Sequence, residues 1–190
     1  ARAGRKLETQ AGEVLATLAM EHCYFQVALS PREGDAPHPQ GREDVELLIS
    51  TNPGSPPQPL AKIASGGELS RISLAVQVVT ASQSALPCMV FDEVDVGIGG
   101  AVAEVVGRLL RRLAASTQVL CVTHLPQVAS QGHQHLRVSK TNSKQTALTR
   151  MARLEGEART EEVARMLGGV KMTAQTLAHA REMLAQVEES

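Results

Sequence analysis

Aromatic side chains are almost missing from this chain, which has two Phe, one Tyr and no Trp in 190 residues. So small a stacking surface gives no platform for bases. An excess of either charge is missing too: 19 Lys and Arg stand against 20 Asp and Glu, for a net charge of −1. That balance leaves no basic footprint for nucleic acid or a membrane surface, so DNA binding cannot be argued from composition. The three cysteines, Cys23, Cys88 and Cys121, are scattered without a C-x-x-C or paired histidine spacing. Neither a disulfide framework nor a zinc site follows from them. No apolar run approaches the roughly 20 residues of a membrane helix, and no signal peptide is present. The expectation is a soluble, cytoplasmic chain of one domain, and its ARAGRKLE opening without an initiator Met reads as a fragment. One further absence bears on chemistry. None of Lys6, Lys62, Lys140, Lys144 and Lys171 follows a glycine, so the phosphate-cradling G-x-x-x-x-G-K-[ST] loop is missing.

What the chain does have is concentrated in three pieces between Ser65 and His124. The first, SGGELSR at Ser65–Arg71, has the form of a helix start. Ser65 with Glu68 three residues on makes an S-x-x-E capping box ahead of Leu69, Ile72, Val76 and Val79. Gly66 and Gly67 leave the first turn without side chains, so its N–H groups and the positive end of the helix dipole face outward as an anion site, with phosphate the obvious anion. The second piece, CMVFDEVDVGIGG at Cys88–Gly100, reads as a short apolar strand covered on both faces and ending in Asp92 and Glu93. Ligands of open α/β sheets lie at the carboxyl ends of strands. Adjacent strand residues point to opposite sides, which suits one of the pair to hold magnesium through water and the other to orient an attacking water. The third piece, VLCVTHLPQVA at Val119–Ala129, repeats the plan with Thr123 and His124 at a strand end and Pro126 in the first turn of a helix. His124 there is placed to donate a hydrogen bond to a phosphate oxygen.

In this order, the three pieces resemble the C-terminal half of an ABC-type ATPase head. ISTNPGSPPQPLAKIASGGELSRISLAVQVV, FDEVDVGIGG and VTHLPQVA are similar in detail to the SMC-like branch that serves bacterial DNA double-strand-break repair, and the likeness runs from about Gly12 to Gln186. Glu68 stands where transporter ATPases usually have Gln, which favours that branch. The resemblance implies an α/β fold, the C-terminal lobe of an ABC/SMC-type head, with a mostly parallel sheet flanked by helices and a hairpin near the C-terminus. It makes Ala1–His22 the end of a coiled-coil arm entering the head and residues 23–190 the lobe itself. It makes Ser65, Gly66, Gly67 and Glu68 the signature that grips the γ-phosphate of ATP held by a second head. Asp92 becomes the residue that holds Mg2+ through water, Glu93 the general base, and His124 the switch histidine. Asp95 and Gly97 fall in the D-loop that crosses the dimer interface. The implied ligands are ATP and Mg2+. The implied partners are a P-loop lobe of the same protein, a second head and DNA, with no membrane, in the cytoplasm at the nucleoid. The missing P-loop is the departure, and it leaves half a head, expected to hydrolyse ATP only when joined to the other half. Two other readings stay open: a non-catalytic interaction or dimerisation module, and a fragment of a transporter-type ATPase.

The remaining segments read as scaffold. Phe25–Leu29 and Asp44–Ser50 are strands joined by the breaker-rich loop Ser30–Arg42. Lys62, after the Pro-rich stretch Thr51–Pro59, is open to two readings, a surface charge or a phosphate contact. The helix after Ser65 is expected to run Leu69–Ser84 with Leu69, Ile72, Val76 and Val79 on the sheet. Arg71 in its first turn opposes the dipole, which points either to an anion or carboxylate partner or to an ordinary surface position. Ala101–Ala115 is a helix with Arg108, Arg111 and Arg112 on its solvent side. Leu136–Ser139 and Ala147–Leu154 make a hairpin, His133 and His135 an exposed pair beside it, and Cys88 and Cys121 small core residues. Thr160 is expected to cap a helix running to Leu167, and Met172–Glu188 closes the chain.

Overall fold

Helix α1 (Arg2–Thr17) is amphipathic, and its buried Ala11 and Leu15, followed by Leu18, sit against the next strand and helix. A computed structural model of the chain describes residues 2–32, 38–39, 41–63, 65–81, 86–142, 147–169 and 172–188. The Glu8 carboxylate accepts the backbone N–H of Val27 at 2.8 Å, which fastens α1 to that strand. The helix stops short of the expected His22. Ala19 takes φ 57°, and the N–H groups of Leu18 and Met20 both donate to the Leu15 carbonyl, turning the chain back.

Strands β1 (Tyr24–Pro31) and β2 (Glu43–Ser50) pair antiparallel, with Phe25 opposite Ile49 on the core side, and β3 (Gln58–Pro59) adds a short third strand beside β2. Then come α2 (Gly66–Thr80) and a parallel β-α-β unit: β4 (Cys88–Phe91), α3 (Gly100–Leu113) and β5 (Gln118–Cys121). Parallel strands need such a crossover, and the register sets Met89 beside Val119 and Phe91 beside Cys121. Helix α4 (Pro126–Gln131), with Pro126 at its start, packs on α3. A Cβ on Gly107 would lie 2.6 Å from Gln131 Cγ and 3.1 Å from the Gln127 carbonyl oxygen, so only glycine allows this approach. Helices α1 to α4 and strands β1, β2, β4 and β5 share one core around Leu15, Ile49, Ile72, Leu74, Phe91, Val106 and Val128.

The C-terminal part has a second, smaller apolar core and packs on α4. The hairpin β6 (His135–Asn142) and β7 (Ala147–Leu154) precedes α5 (Gly156–Gly168) and α6 (Ala174–Glu188), which bury Val163, Ala164 and Ala180 between them. Glu162 is buried here and accepts two hydrogen bonds from the Arg165 guanidinium, at 2.6 and 3.0 Å. Those bonds hold its pKa below the ordinary 4.5 despite burial. No helix among the described residues is long and apolar enough to cross a membrane.

Several expectations are corrected. The sheet is not mostly parallel: β4 and β5 are the parallel pair, whereas β1, β2 and β3, and β6 with β7, pair antiparallel. Nor is β4 covered on both faces. Met89 and Phe91 are buried, whereas Val90 is 67% exposed, and Leu120 and Val122 beside it are 46% and 60% exposed. Cys88 shares that open face and is no core residue, and Cys121 is partly buried. On α2 the buried residues are Gly67, Arg71, Ile72, Leu74 and Ala75; of the expected stripe Ile72 is buried and Val76 packs on the core, whereas Leu69 is exposed. Thr160 caps nothing. It lies inside α5, whose N-cap is Glu155, and its hydroxyl donates to the Gly156 carbonyl at 3.3 Å. His135 is partly buried rather than exposed, and burial, then the nearby Arg159 charge, lowers its pKa. Ser82–Ser84, in the expected end of α2, and Lys144 lie outside the described residues.

Two outcomes follow for stability. Gly107→Val, which forces a side chain into the α3–α4 contact, is expected to destabilise by about 1–3 kcal/mol, read from the urea midpoint. Because the folded pKa of Glu162 is depressed, its contribution is present above 4.5 and is lost as pH falls through the lowered value. Melting curves on the acid side of 4.5 should therefore fall less steeply for Glu162→Gln than for the wild type.

Candidate functional site

The three sequence pieces meet at one rim of the parallel unit. The start of α2 is capped as its sequence requires: the Glu68 N–H donates to Ser65 Oγ at 3.4 Å, and Ser65 has extended backbone. Ser65 and Gly66 are open to solvent, and Gly67 is buried. A hollow of about 370 Å3 opens beside this helix start, with Asn52, Gln58, Lys62, Ser65 and Glu68 on its walls, and Lys62 itself is exposed.

Strand β4 hands over to a loop, Asp92–Ile98, which carries most of the candidate residues. Asp92 and Glu93 are both exposed at the strand end. The Glu93 N–H donates to Asp92 Oδ1 at 2.9 Å, leaving the second oxygen of that carboxylate facing out. Glu93 takes φ 57°, a left-handed conformation uncommon outside glycine. Its carboxylate lies against Gly66: a Cβ there would collide with Glu93 Oε2. A carboxylate at a helix N-terminus is electrostatically favoured. Gly97, at φ 75°, lets the loop close, and the Val96 N–H donates to the Glu93 carbonyl at 3.2 Å.

Helix α2 grips this loop twice. Ser70 Oγ donates to the Asp92 carbonyl at 2.8 Å, and Arg71 Nη1 donates to the Val96 carbonyl at 2.7 Å. The loop in turn presses on Gly67, whose missing Cβ would lie 3.1 Å from Val96 Cβ and 3.2 Å from the Val96 oxygen. Arg71 is thus not a surface charge: it is buried, it donates to a main-chain carbonyl, and Glu68 is the carboxylate that acts on it. It is 9% exposed, with Nε buried and lacking a hydrogen-bond partner among the described residues. Burial lowers its pKa, against an opposing effect from Glu68. Cys23 lies close by, and burial, then the Glu68 charge, pushes its thiol up, which disfavours the thiolate. Cys121 under the loop is pushed up to about 12 by burial, then by Asp95 and Asp92.

Asp95 turns inward instead of outward. It is 3% exposed, accepts a short hydrogen bond from the Thr123 hydroxyl and accepts the His124 N–H at 3.2 Å. The His124 ring brings Nδ1 to 3.4 Å from the same oxygen and is otherwise 71% exposed. The structure therefore joins Glu93 to Gly66, Val96 to Gly67 and Arg71, and Asp95 to Thr123 and His124. The holds by Ser70 and Thr123 escaped the sequence reading, since a lone hydroxyl gives no periodic signal. Arg71 did give one, a cation in the first helical turn, but not its partner.

Among the described residues no three His, Cys, Asp or Glu side chains gather as metal ligands. Magnesium does not require such a cage: it keeps several waters and takes one or two carboxylates plus substrate phosphates. The outward oxygen of Asp92 fits that chemistry.

The chain matches no family model. It is 50% identical over 188 residues to "DNA repair protein RecN" of Xylella fastidiosa (strain Temecula1), covering 99% of this chain and 34% of that protein. It is 50% identical over 185 residues to the protein of the same name in Vibrio cholerae, covering 96% of this chain and 33% of the other. The chain thus spans about a third of the length of these relatives. Among solved structures, the Smc head domain with a coiled coil and joint from Pyrococcus yayanosii superposes with a TM-score of 0.59 at 18% identity, over 85% of this chain and 29% of that one. A chain from a study of ATP-driven dimerization and DNA-stimulated activation of SMC ATPases superposes with a TM-score of 0.54 at 16% identity, over 90% of this chain and 96% of that one. The fold is that of an SMC head.

For the loop grip, Arg71→Met should remove the hydrogen bond to Val96 and leave its carbonyl unpaired. The expected loss is about 1–3 kcal/mol by urea unfolding, with faster amide exchange at Val96 and Ile98.

Proposed function

As a homologue of the C-terminal third of RecN with the fold of an SMC head, the chain is, we propose, the half of an ATPase head that supplies everything but the P-loop. In this reading Ser65–Glu68 offer the signature to ATP held by a second head, while Asp92, Glu93 and His124 serve the nucleotide held with the chain's own P-loop lobe. Asp92 holds magnesium through water, and the bound ion offsets charge on the phosphates. Glu93 takes a proton from the attacking water, with its carboxylate leaving Gly66 to do so. Helix α1 is the arm's entry into the head. The whole protein acts in DNA double-strand-break repair in the cytoplasm, with DNA as its partner.

One observation carries the need for a second lobe. A two-stranded parallel sheet is foreign to stable folds, because parallel sheets are normally buried on both faces. Here one face, with Val90, Leu120 and Val122, lies open, and β4 and β5 pair only with each other among the described residues. Asp92, Glu93 and His124 stand at the carboxyl ends of those same strands, so whatever completes the sheet is brought to the carboxylates. A P-loop lobe satisfies both requirements.

The chain alone is expected to hydrolyse no ATP, and turnover should appear on adding a P-loop-bearing lobe, in cis or in trans. In that complemented protein Glu93→Gln should lower turnover by roughly 10²–10⁴-fold while ATP still drives dimers in sedimentation. Wild-type turnover by Glu93→Gln would remove Glu93 from its role. Activity of the chain alone would refute the half-head reading.

A further inference from the structure

The loop Asp92–Ile98 carries three carboxylates, and one of them does nothing at the surface. Asp92 and Glu93 face solvent, but Asp95 is 3% exposed, and the contacts given for its carboxylate lie at the end of β5. Thr123 Oγ1 and the His124 N–H both donate to Asp95 Oδ2, and His124 Nδ1 lies 3.4 Å from that same oxygen. The Thr123 hydroxyl also accepts the Leu125 N–H at 3.0 Å, where α4 begins. Burying a carboxylate is unfavourable unless hydrogen bonds compensate it. The compensating donors here all come from the residues that carry and flank one exposed histidine.

We propose that Asp95 is a positioning residue for His124. It anchors the main chain on either side of the ring and keeps a proton on Nδ1, so that Nε2 is the nitrogen turned outward. This follows from general second-residue chemistry: the group bonded to one imidazole nitrogen sets the tautomer and aim of the other. The loop that carries the candidate base thereby also sets the histidine that follows the neighbouring strand. The proposal rests on His124 acting at the nucleotide, as in the proposed function.

The test has two arms. In the chain itself, 15N-labelled His124 should show a proton-bearing Nδ1, and Asp95→Asn should shift that proton to Nε2. Thr123→Val, which keeps the carboxylate, should retain the wild-type ring signature. A ring unaffected by Asp95→Asn, or one disturbed as much by Thr123→Val, would overturn the proposal. Supplied with a P-loop lobe, Asp95→Asn should lower kcat by about tenfold or more with the KM for ATP within about twofold, and Asp95→Asn combined with His124→Ala should be no slower than His124→Ala alone. Additive losses would show that Asp95 acts elsewhere. His124→Ala at full activity would instead sink the role of His124, a separate failure that the ring signature does not share.

Discussion

The short loop after β4 is the constraint on which the rest of the site depends. It must leave the sheet, reverse and enter α3 within a few residues, and four neighbouring residues fix its course. Ser70 holds the Asp92 carbonyl, Arg71 holds the Val96 carbonyl, and Thr123 with His124 holds the Asp95 carboxylate. The two main-chain grips come from one helix, one residue apart, so α2 and the loop behave as one body. A buried guanidinium on a carbonyl is a strong, directional tie, since hydrogen bonds to charged groups exceed neutral ones. Gly67 is small because Val96 occupies the space its side chain would need. The side-chain-free start of α2 is therefore the surface that seats the loop.

Much of this was legible in the residues. Strand β4 was recovered end for end because a Pro before it and paired carboxylates after it bound the apolar run, and α4 because Pro126 marks its first turn. The capping box at Ser65 was legible because it is local chemistry, one side chain and one N–H three residues on. What failed was anything that depends on the far side of a contact. An apolar strand looks the same whether one face or two are covered, so Val90 and Cys88 were read as interior. The stripe on α2 was drawn through Leu69 and Val79, but Arg71 took the inward place because Val96 offers it a carbonyl. Thr160 was given a capping role because threonine favours caps; Glu155 holds that place and Thr160 bonds back within the helix.

The candidate residues divide in the same way. Their positions at strand ends and a helix start followed from patterning and turn chemistry. Their orientations did not. Glu93 leans on Gly66 and Asp95 faces inward, and both depend on the left-handed backbone at Glu93 and Gly97, which reverses the direction of successive side chains within a single turn.

The half-covered sheet makes the folded population of this chain a matter of mass action. A surface that seats on Val90, Leu120 and Val122 binds the native form alone, since the unfolded chain has no such face. Folding and assembly are then linked equilibria: a partner at a hundredfold excess over its dissociation constant adds about 2.7 kcal/mol to the native state. For a domain of modest stability that increment is a large fraction of the total. With the proposed lobe seated on that face, the melting temperature of this chain would be a property of the shared solution, rising with the lobe's concentration and falling back on dilution.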